Sequence, residues 1–300
     1  MKELKGYAMI LVAALFWGSS ATAAKLLLNQ QVDTMLIVQM RVTVSCIAYL
    51  AFFLVVRRDI FIVAVRDLWR FALLGIVGVA GSNFTYYFTM RESTVSTAIL
   101  LQYTAPLLVM AYAALAKEER ITAVKITAAL VSLSGCFLAV GAYNPHVLHL
   151  TEAGLISGLA SIVCFAFLTA YPRHILERYS VWTMTLYAML FASLFWLVVN
   201  PPWRIARLAP QPGLWLPLIV LAVASVLIPH TLFFSGLRFI VPSRAIIVST
   251  LEPVTAIVTA AVVLHEGLES TQIVGALLVI AAIVLLELRR EIPEAAGDGA

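Results

Sequence analysis

Ten apolar stretches dominate this 300-residue chain: 6–28, 34–56, 69–90, 93–115, 122–142, 152–172, 180–199, 213–236, 242–264 and 270–288. Each is close to the roughly 20 residues that a helix needs to cross a bilayer. Hydrocarbon offers no partners to backbone N–H and C=O groups, so stretches of this length cross as helices. The connectors are too short for a soluble domain, and only the tail RREIPEAAGDGA is polar throughout. The expected fold class is an all-α integral membrane protein with ten transmembrane helices. Composition agrees, at 62% hydrophobic and 12% charged with a mean hydropathy of +0.98, whereas soluble domains run nearer a quarter charged. The formal charge of +4 is then no sign of nucleic acid; membrane lipid is an expected partner and nucleic acid is not. Cys46, Cys136 and Cys164 all fall inside apolar stretches. An odd, scattered set without CxxC spacing gives neither a disulfide frame nor a metal site, so these are read as small core residues.

Lys2, Lys5, an apolar run and SSATAAK imitate a secretory signal. The run continues through Leu26–Leu28, longer than a signal core, so it is read as the first span. With the amino terminus inside and alternating sides, cytoplasmic segments hold Lys2, Lys5, Arg57, Arg58, Arg66, Arg70, Lys117, Arg120, Lys125, Arg173, Arg178, Arg238, Arg244, Arg289 and Arg290, 15 of the 20 basic residues. The opposite loops hold Arg91, Arg204 and Arg207. That bias predicts both termini on the cytoplasmic side.

The chain repeats itself. STVSTAILLQYTAPLLVMAYAALAKEER (93–120) aligns with IVPSRAIIVSTLEPVTAIVTAAVVLHEG (240–267) at an offset of 147, which pairs Pro106 with Pro253, Ser96 with Ser243 and Glu119 with Glu266. Outward from there Asn83 meets His230, and Tyr86–Tyr87 meets Phe233–Phe234. Near the amino terminus the offset is 148, and Trp17 meets Phe165. The chain is therefore two halves of five spans. Five is odd, so the second half enters the membrane inverted, an architecture of transporters whose binding sites lie near the midplane.

With the halves aligned, the sequence resembles a known family. The ten spans, the two five-helix repeats and the paired motifs TAPLLVMAYAALAKEERIT and LEPVTAIVTAAVVLHEGLE look like the drug/metabolite transporter superfamily, in its EamA branch. ALFWGSS at 14–20 and Arg41 in the second span add to the likeness, which covers about residues 6–288. The resemblance implies a first EamA-like repeat over 1–147, a second over 148–290 and a polar tail over 291–300. It also implies a carrier of the bacterial inner membrane, nearest in layout to the branch's aromatic amino acid exporters. The superfamily also moves sugars, nucleotide-sugars and organic cations, so class is better defined than cargo.

Several residues carry chemistry unusual for hydrocarbon. Glu252, one residue before Pro253, reads either as a cavity carboxylate for a substrate amine or a proton, or as a structural acceptor; intramembrane ionisable groups are functional candidates by default. Asn83, Tyr86 and Tyr87 mark one helix face, and His230 and Phe233 repeat it five spans later. That pair of faces reads as cavity lining or as ordinary packing. Gln102 and Tyr103, just before Pro106, lie where a proline frees carbonyls one turn back. Lys25 reads as a snorkelling interfacial lysine. Arg41 reads as a partner of Asp33 or of a substrate carboxylate, and the resemblance favours a structural pair. Glu118 and Glu119, between Lys117 and Arg120, read as a solvated turn. His146 and His149 have no third ligand nearby, and there is no Walker A, DDxxD or HExxH motif. An enzyme is not expected, nor a cofactor or a metal.

The reading reached is a monomeric secondary transporter that exports amino acids or related small amphipathic metabolites by alternating access. Its substrate lies between spans 1, 3 and 4 and spans 6, 8 and 9. Trp17, Asn83, Tyr86, Tyr87, Gln102, Tyr103, Phe165, His230, Phe233 and Glu252 bind it, while Pro106 and Pro253 bend the helices around it. Uptake, or export of cationic drugs, is the alternative within the same fold; a lipid-modifying membrane enzyme is the alternative outside it.

Overall fold

The computed structural model describes residues 2–144, 148, 150–207, 211–263, 265 and 267–288. His146, His149, Glu266, Arg289, Arg290 and the tail 291–300 lie outside the described residues. The described chain is all-helical. Among the described residues, nine helices are long and apolar enough to cross a membrane: α1 (Lys2–Leu27), α2 (Thr34–Val56), α3 (Val65–Glu92), α4 (Val95–Leu115), α6 (Glu152–Leu176), α7 (Val181–Val199), α8 (Pro212–Gly236), α9 (Pro242–Val263) and α10 (Ser270–Leu288). The tenth, α5 (Ala123–Ala139), has 17 residues and a length of about 26 Å at 1.5 Å per residue. It falls short of the expected 122–142 because Val140 and Gly141 turn the chain, Gly141 at a φ of 73°.

Most of these helices are apolar all round, so hydropathy does not separate their faces. Size and polarity do. Leu15, Ile47, Val55, Leu159 and Val198 face outward, while Ser45, Thr89, Ser132 and Thr185 are buried. Ser45 bonds carbonyls, that of Arg41 in its own helix (2.7 Å) and that of Ala222 of α8 (3.1 Å), and Ser132 bonds the Thr250 hydroxyl (2.9 Å).

The helices do not pack by repeat. α1 lies against α8 and α9, and α2 against α8. By the pseudo-symmetry, α6 lies against α3 and α4, and α7 against α3. One lobe is thus α1, α2, α8 and α9, the other α3, α4, α6 and α7, each with two helices from either repeat. α5 and α10 form a pair beside them. A Cβ at Gly275 would stand 2.4 Å from the Ala139 nitrogen, and one at Gly135 would stand 2.8 Å from the Gly275 carbonyl. Small residues let backbones approach closely where lipid supplies no hydrophobic drive between helices. Gly275→Leu is accordingly expected to part α5 from α10 and remove most of the folded yield on size-exclusion chromatography. Gly213→Ala, where an added Cβ meets nothing within 4 Å, is expected to behave as wild type. Equal yields from the two would refute this account of the α5–α10 contact.

Two interruptions recur in both repeats. α4 breaks into Val95–Gln102 and Ala105–Leu115, and α9 into Pro242–Ser249 and Leu251–Val263. Pro106 and Pro253 open the second segments, as the repeat predicts. Hydroxyls satisfy the carbonyls at the breaks: Thr104 bonds Leu101 (2.7 Å) and Thr250 bonds Ile247 (2.6 Å). The other interruption has no proline at its centre. α3 widens to a π-helix over Leu74–Gly81, and α8 does so over Val223–Leu227. The carbonyls of Val79 and Val226, an offset of 147, accept from the side chains four residues on, Asn83 Nδ2 (2.8 Å) and His230 Nδ1 (3.1 Å). Single-turn π segments recur at functional sites, and these two point to the middle of the bundle.

Candidate functional site

Between the lobes lies a cavity of about 60 Å³ lined by Trp17, Ala21, Arg41, Ser82, Asn83, Tyr86, Tyr87, Gln102, Phe165, Leu168, His230 and Glu252. That volume holds a few water molecules. The sequence-expected residues Trp17, Asn83, Tyr86, Tyr87, Gln102, Phe165, His230 and Glu252 meet here from six helices. Tyr103 and Phe233 stand one layer behind. Phe233 is fully buried and packs on Trp17 (ring centroids 5.3 Å apart), away from the cavity wall. Trp17 also meets His230 edge-on (5.4 Å) and Phe165 (6.5 Å), so the two symmetry-related aromatics of α1 and α6 share one wall. His230 donates from Nδ1 to a carbonyl, which assigns the proton to that nitrogen and leaves Nε2 as the acceptor when the ring is neutral.

The broken helices supply the polar end. Glu252 stands in the first turn of the second segment of α9, where exposed N–H groups and the helix dipole favour a carboxylate. Tyr103, at the break in α4, donates to that carboxylate (2.5 Å), and its hydroxyl also lies 3.3 Å from the Ser249 carbonyl. Pro253 has no N–H for that carbonyl. One phenol thus ties the break in one repeat to the break in the other. Close packing holds Glu252 in place: a Cβ at Gly18 would lie 2.5 Å from the Glu252 carbonyl oxygen.

Arg41 does not pair with Asp33. Asp33 caps its own helix by accepting from the Leu36 N–H (3.1 Å). Arg41, deeper in α2, donates from Nε to Ser225 Oγ (2.6 Å) and from Nη2 to the Ser225 carbonyl (3.4 Å) within the π segment of α8. Its guanidinium lies 4.9 Å from the centre of the Tyr87 ring. Ser82 is a further lining residue that sequence reading passes over, since a serine in a span carries no signal of its own. Its place one residue before Asn83 is the only hint.

The seam between the lobes differs at its two ends. Toward Lys25 it opens into a second cavity of about 210 Å³, bounded by Lys25, Met90, Ser96, Ile99, Ala256 and Ala260 among others, with Ala21 common to both cavities. The tip of Lys25 therefore borders this vestibule. Toward Arg244 the seam is bridged. Glu119 accepts from the Ser243 hydroxyl and, at 3.4 Å, from the Ser243 N–H. It also pairs with Lys125 at 3.4 Å, the two side chains being 3% and 4% exposed. The expectation of a solvated turn fails for Glu119, because the turn folds back under α9 and two helices supply it with donors.

Comparison with known proteins follows the same lines. YicL of Salmonella typhimurium, described as an uncharacterized inner membrane transporter, is 26% identical over 287 residues, 95% of each chain. An uncharacterized transporter of Archaeoglobus fulgidus is 27% identical over 288 residues, 93% of this chain and 95% of its own. A solved crystal structure superposes on 94% of this chain and 96% of its own with a TM-score of 0.78 at 18% identity, a likeness of fold. The EamA-like transporter family matches twice, over residues 4–141 and over residues 152–288. This chain belongs to the EamA-like transporter family.

Proposed function

We propose that this transporter exports amino acids, or small amphipathic metabolites built like them, by alternating access about the cavity between its lobes. The observation that carries the proposal is the make-up of the cavity wall; a space of about 60 Å³ takes an amino acid only as the lobes part. Rings from α1, α3 and α6 offer an apolar body its wall, and Glu252 offers an ammonium group its anion. Both broken helices end against the same space. Arg41 on the same cavity disfavours a purely cationic cargo, so export of cationic drugs is the weaker reading. Binding between inverted repeats, at half-helix ends, is how carriers of this kind expose one site to either side in turn.

The orientation follows from the basic residues, with both termini cytoplasmic in the inner membrane. The vestibule beside Lys25 then faces outward, and the Glu119–Ser243 bridge closes the cytoplasmic side. Single cysteines introduced at position 207 are expected to react with an impermeant maleimide in intact cells, and those at the exposed positions 62 and 177 only after permeabilisation. The opposite pattern would invert the carrier.

Transport is tested with the purified protein in liposomes loaded with unlabelled amino acids. Counterflow of radiolabelled leucine or phenylalanine, competed by a metabolite panel, is the expected result. An imposed pH gradient reports coupling, for which Glu252 and His230 are the candidate proton carriers. No exchange of any amino acid, alongside exchange of other metabolites, would overturn the cargo and leave the carrier.

A further inference from the structure

Two donors on the cavity wall have nothing to donate to. Arg41 Nη1 and the Tyr86 hydroxyl are buried without a hydrogen-bond partner, on side chains belonging to residues only 5% and 7% exposed. Both residues line the central cavity. A buried polar group left unsatisfied calls for an explanation, and here one of the two carries a full charge. The partners Arg41 has are a serine hydroxyl, a serine carbonyl and the face of a tyrosine ring. All are neutral, and among the described residues no carboxylate pairs with it. Glu252, which lines the same cavity, is engaged by Tyr103. Water entering such a space satisfies a hydrogen bond but adds no negative charge beside the guanidinium, whose acidic neighbour on the cavity, Glu252, makes no ion pair with it. A carboxylate satisfies both the bond and the charge.

We infer that Arg41 and Tyr86 form an anion subsite that takes the carboxylate of the cargo, at the wall where α2 meets α3. The inference rests on the proposed transport reading and sharpens it. The cargo is held by its polarity, carboxylate toward Arg41 and ammonium toward Glu252, with its apolar body against Trp17 and Phe165. Arg41 suits this task because Nε and Nη2 are already held by Ser225, which orients the guanidinium before the ligand arrives. Ser225 belongs to the π segment of α8, so binding of an anion pulls on the segment that interrupts that helix.

Binding to the purified full-length protein, read as ligand-dependent thermal shift and titrated for affinity, tests this with four probes of one shape. They are L-phenylalanine, L-phenylalaninamide, phenethylamine and 3-phenylpropionate, with the leucine-derived set in parallel. Loss of the carboxylate is expected to weaken binding about ten- to a hundredfold, the worth of a hydrogen bond to a charged group. Arg41→Gln and Tyr86→Phe are each expected to erase most of that difference. Tyr86→Phe keeps the ring, so it decides the matter if Arg41→Gln does not fold. Amide or amine binding the wild type as tightly as the acid would overturn the subsite, as would carboxylate discrimination that survives in Tyr86→Phe and in Arg41→Gln. Absence of any carboxylate-dependent binding across both sets overturns it as well. Arg41-dependent binding of 3-phenylpropionate without binding of any amino acid keeps the subsite and removes the amino acid cargo. Amino acid exchange indifferent to amidation does the reverse.

Discussion

Glu252→Ala is expected to lower the apparent affinity for exchanged amino acid by about ten- to a hundredfold, the worth of a hydrogen bond to a charged group, while leaving folded yield close to wild type. The two effects separate because Tyr103 has a second acceptor. Its hydroxyl already lies 3.3 Å from the Ser249 carbonyl and turns to it when the carboxylate goes. The stability cost is then the difference between two hydrogen bonds, on the order of 1 kcal/mol. Glu252→Gln restores an acceptor for Tyr103 but no charge, so it is expected to recover stability and not exchange. Counterflow in liposomes and thermal midpoints for the three proteins decide the point. Exchange within a factor of about three of wild type in Glu252→Ala, with a lowered midpoint, would assign the carboxylate to Tyr103 alone.

Gly18→Leu is expected to give almost no folded protein. An added Cβ lies 2.5 Å from the Glu252 carbonyl oxygen, 2.5 Å from Thr255 Cβ and 2.9 Å from the Ala256 nitrogen. Two of these atoms belong to helix backbone, which yields only by parting α1 from α9. Gly18→Ala makes the smallest such demand and is expected to cost about 1–3 kcal/mol, the usual range for overpacking, seen as a lowered thermal midpoint. Its effect on exchange is expected to be larger than its effect on stability suggests, because Trp17 and Glu252 border the cavity from the two helices that the methyl forces apart. A Gly18→Leu protein with wild-type yield and midpoint would show that α1 and α9 do not meet at this depth.

Much of this fold was legible in the chain because lipid leaves few options. Length and hydropathy located every span to within about four residues; the end of α5 is set by the αL turn at Gly141 rather than by any change in hydropathy. Pro106 and Pro253 announced the breaks, since proline removes a donor wherever it stands. The π segments were not legible. Val223–Leu227 reads as ordinary apolar helix, and the bond that accompanies its widening runs from the His230 side chain to a carbonyl four residues back. Arg41 was visible as a charge but its partner was not. The nearby Asp33 was the obvious candidate in sequence, whereas Ser225 lies 184 positions away. Glu119 was misread for a similar reason, because the chain that buries it comes from Ser243, 124 positions on. Polar side chains within the membrane find partners in the other repeat, and spacing along the chain says little about those pairings.

The exchange of helices between the lobes also governs how the protein is made. Thr22 of α1 bonds Thr259 of α9 at 2.8 Å, across 237 positions of chain. At ribosomal speeds of roughly 5–20 residues per second, the first helix waits about 10–50 s in the bilayer before its partner leaves the exit tunnel. During that interval its hydroxyls and its glycine notch at position 18 face lipid or an insertion chaperone. The sequence repeat is therefore not a unit of biogenesis. A product truncated after the first five helices holds α1, α2 and α3 without the neighbours that cover them, and membrane proteases meet it as an orphan.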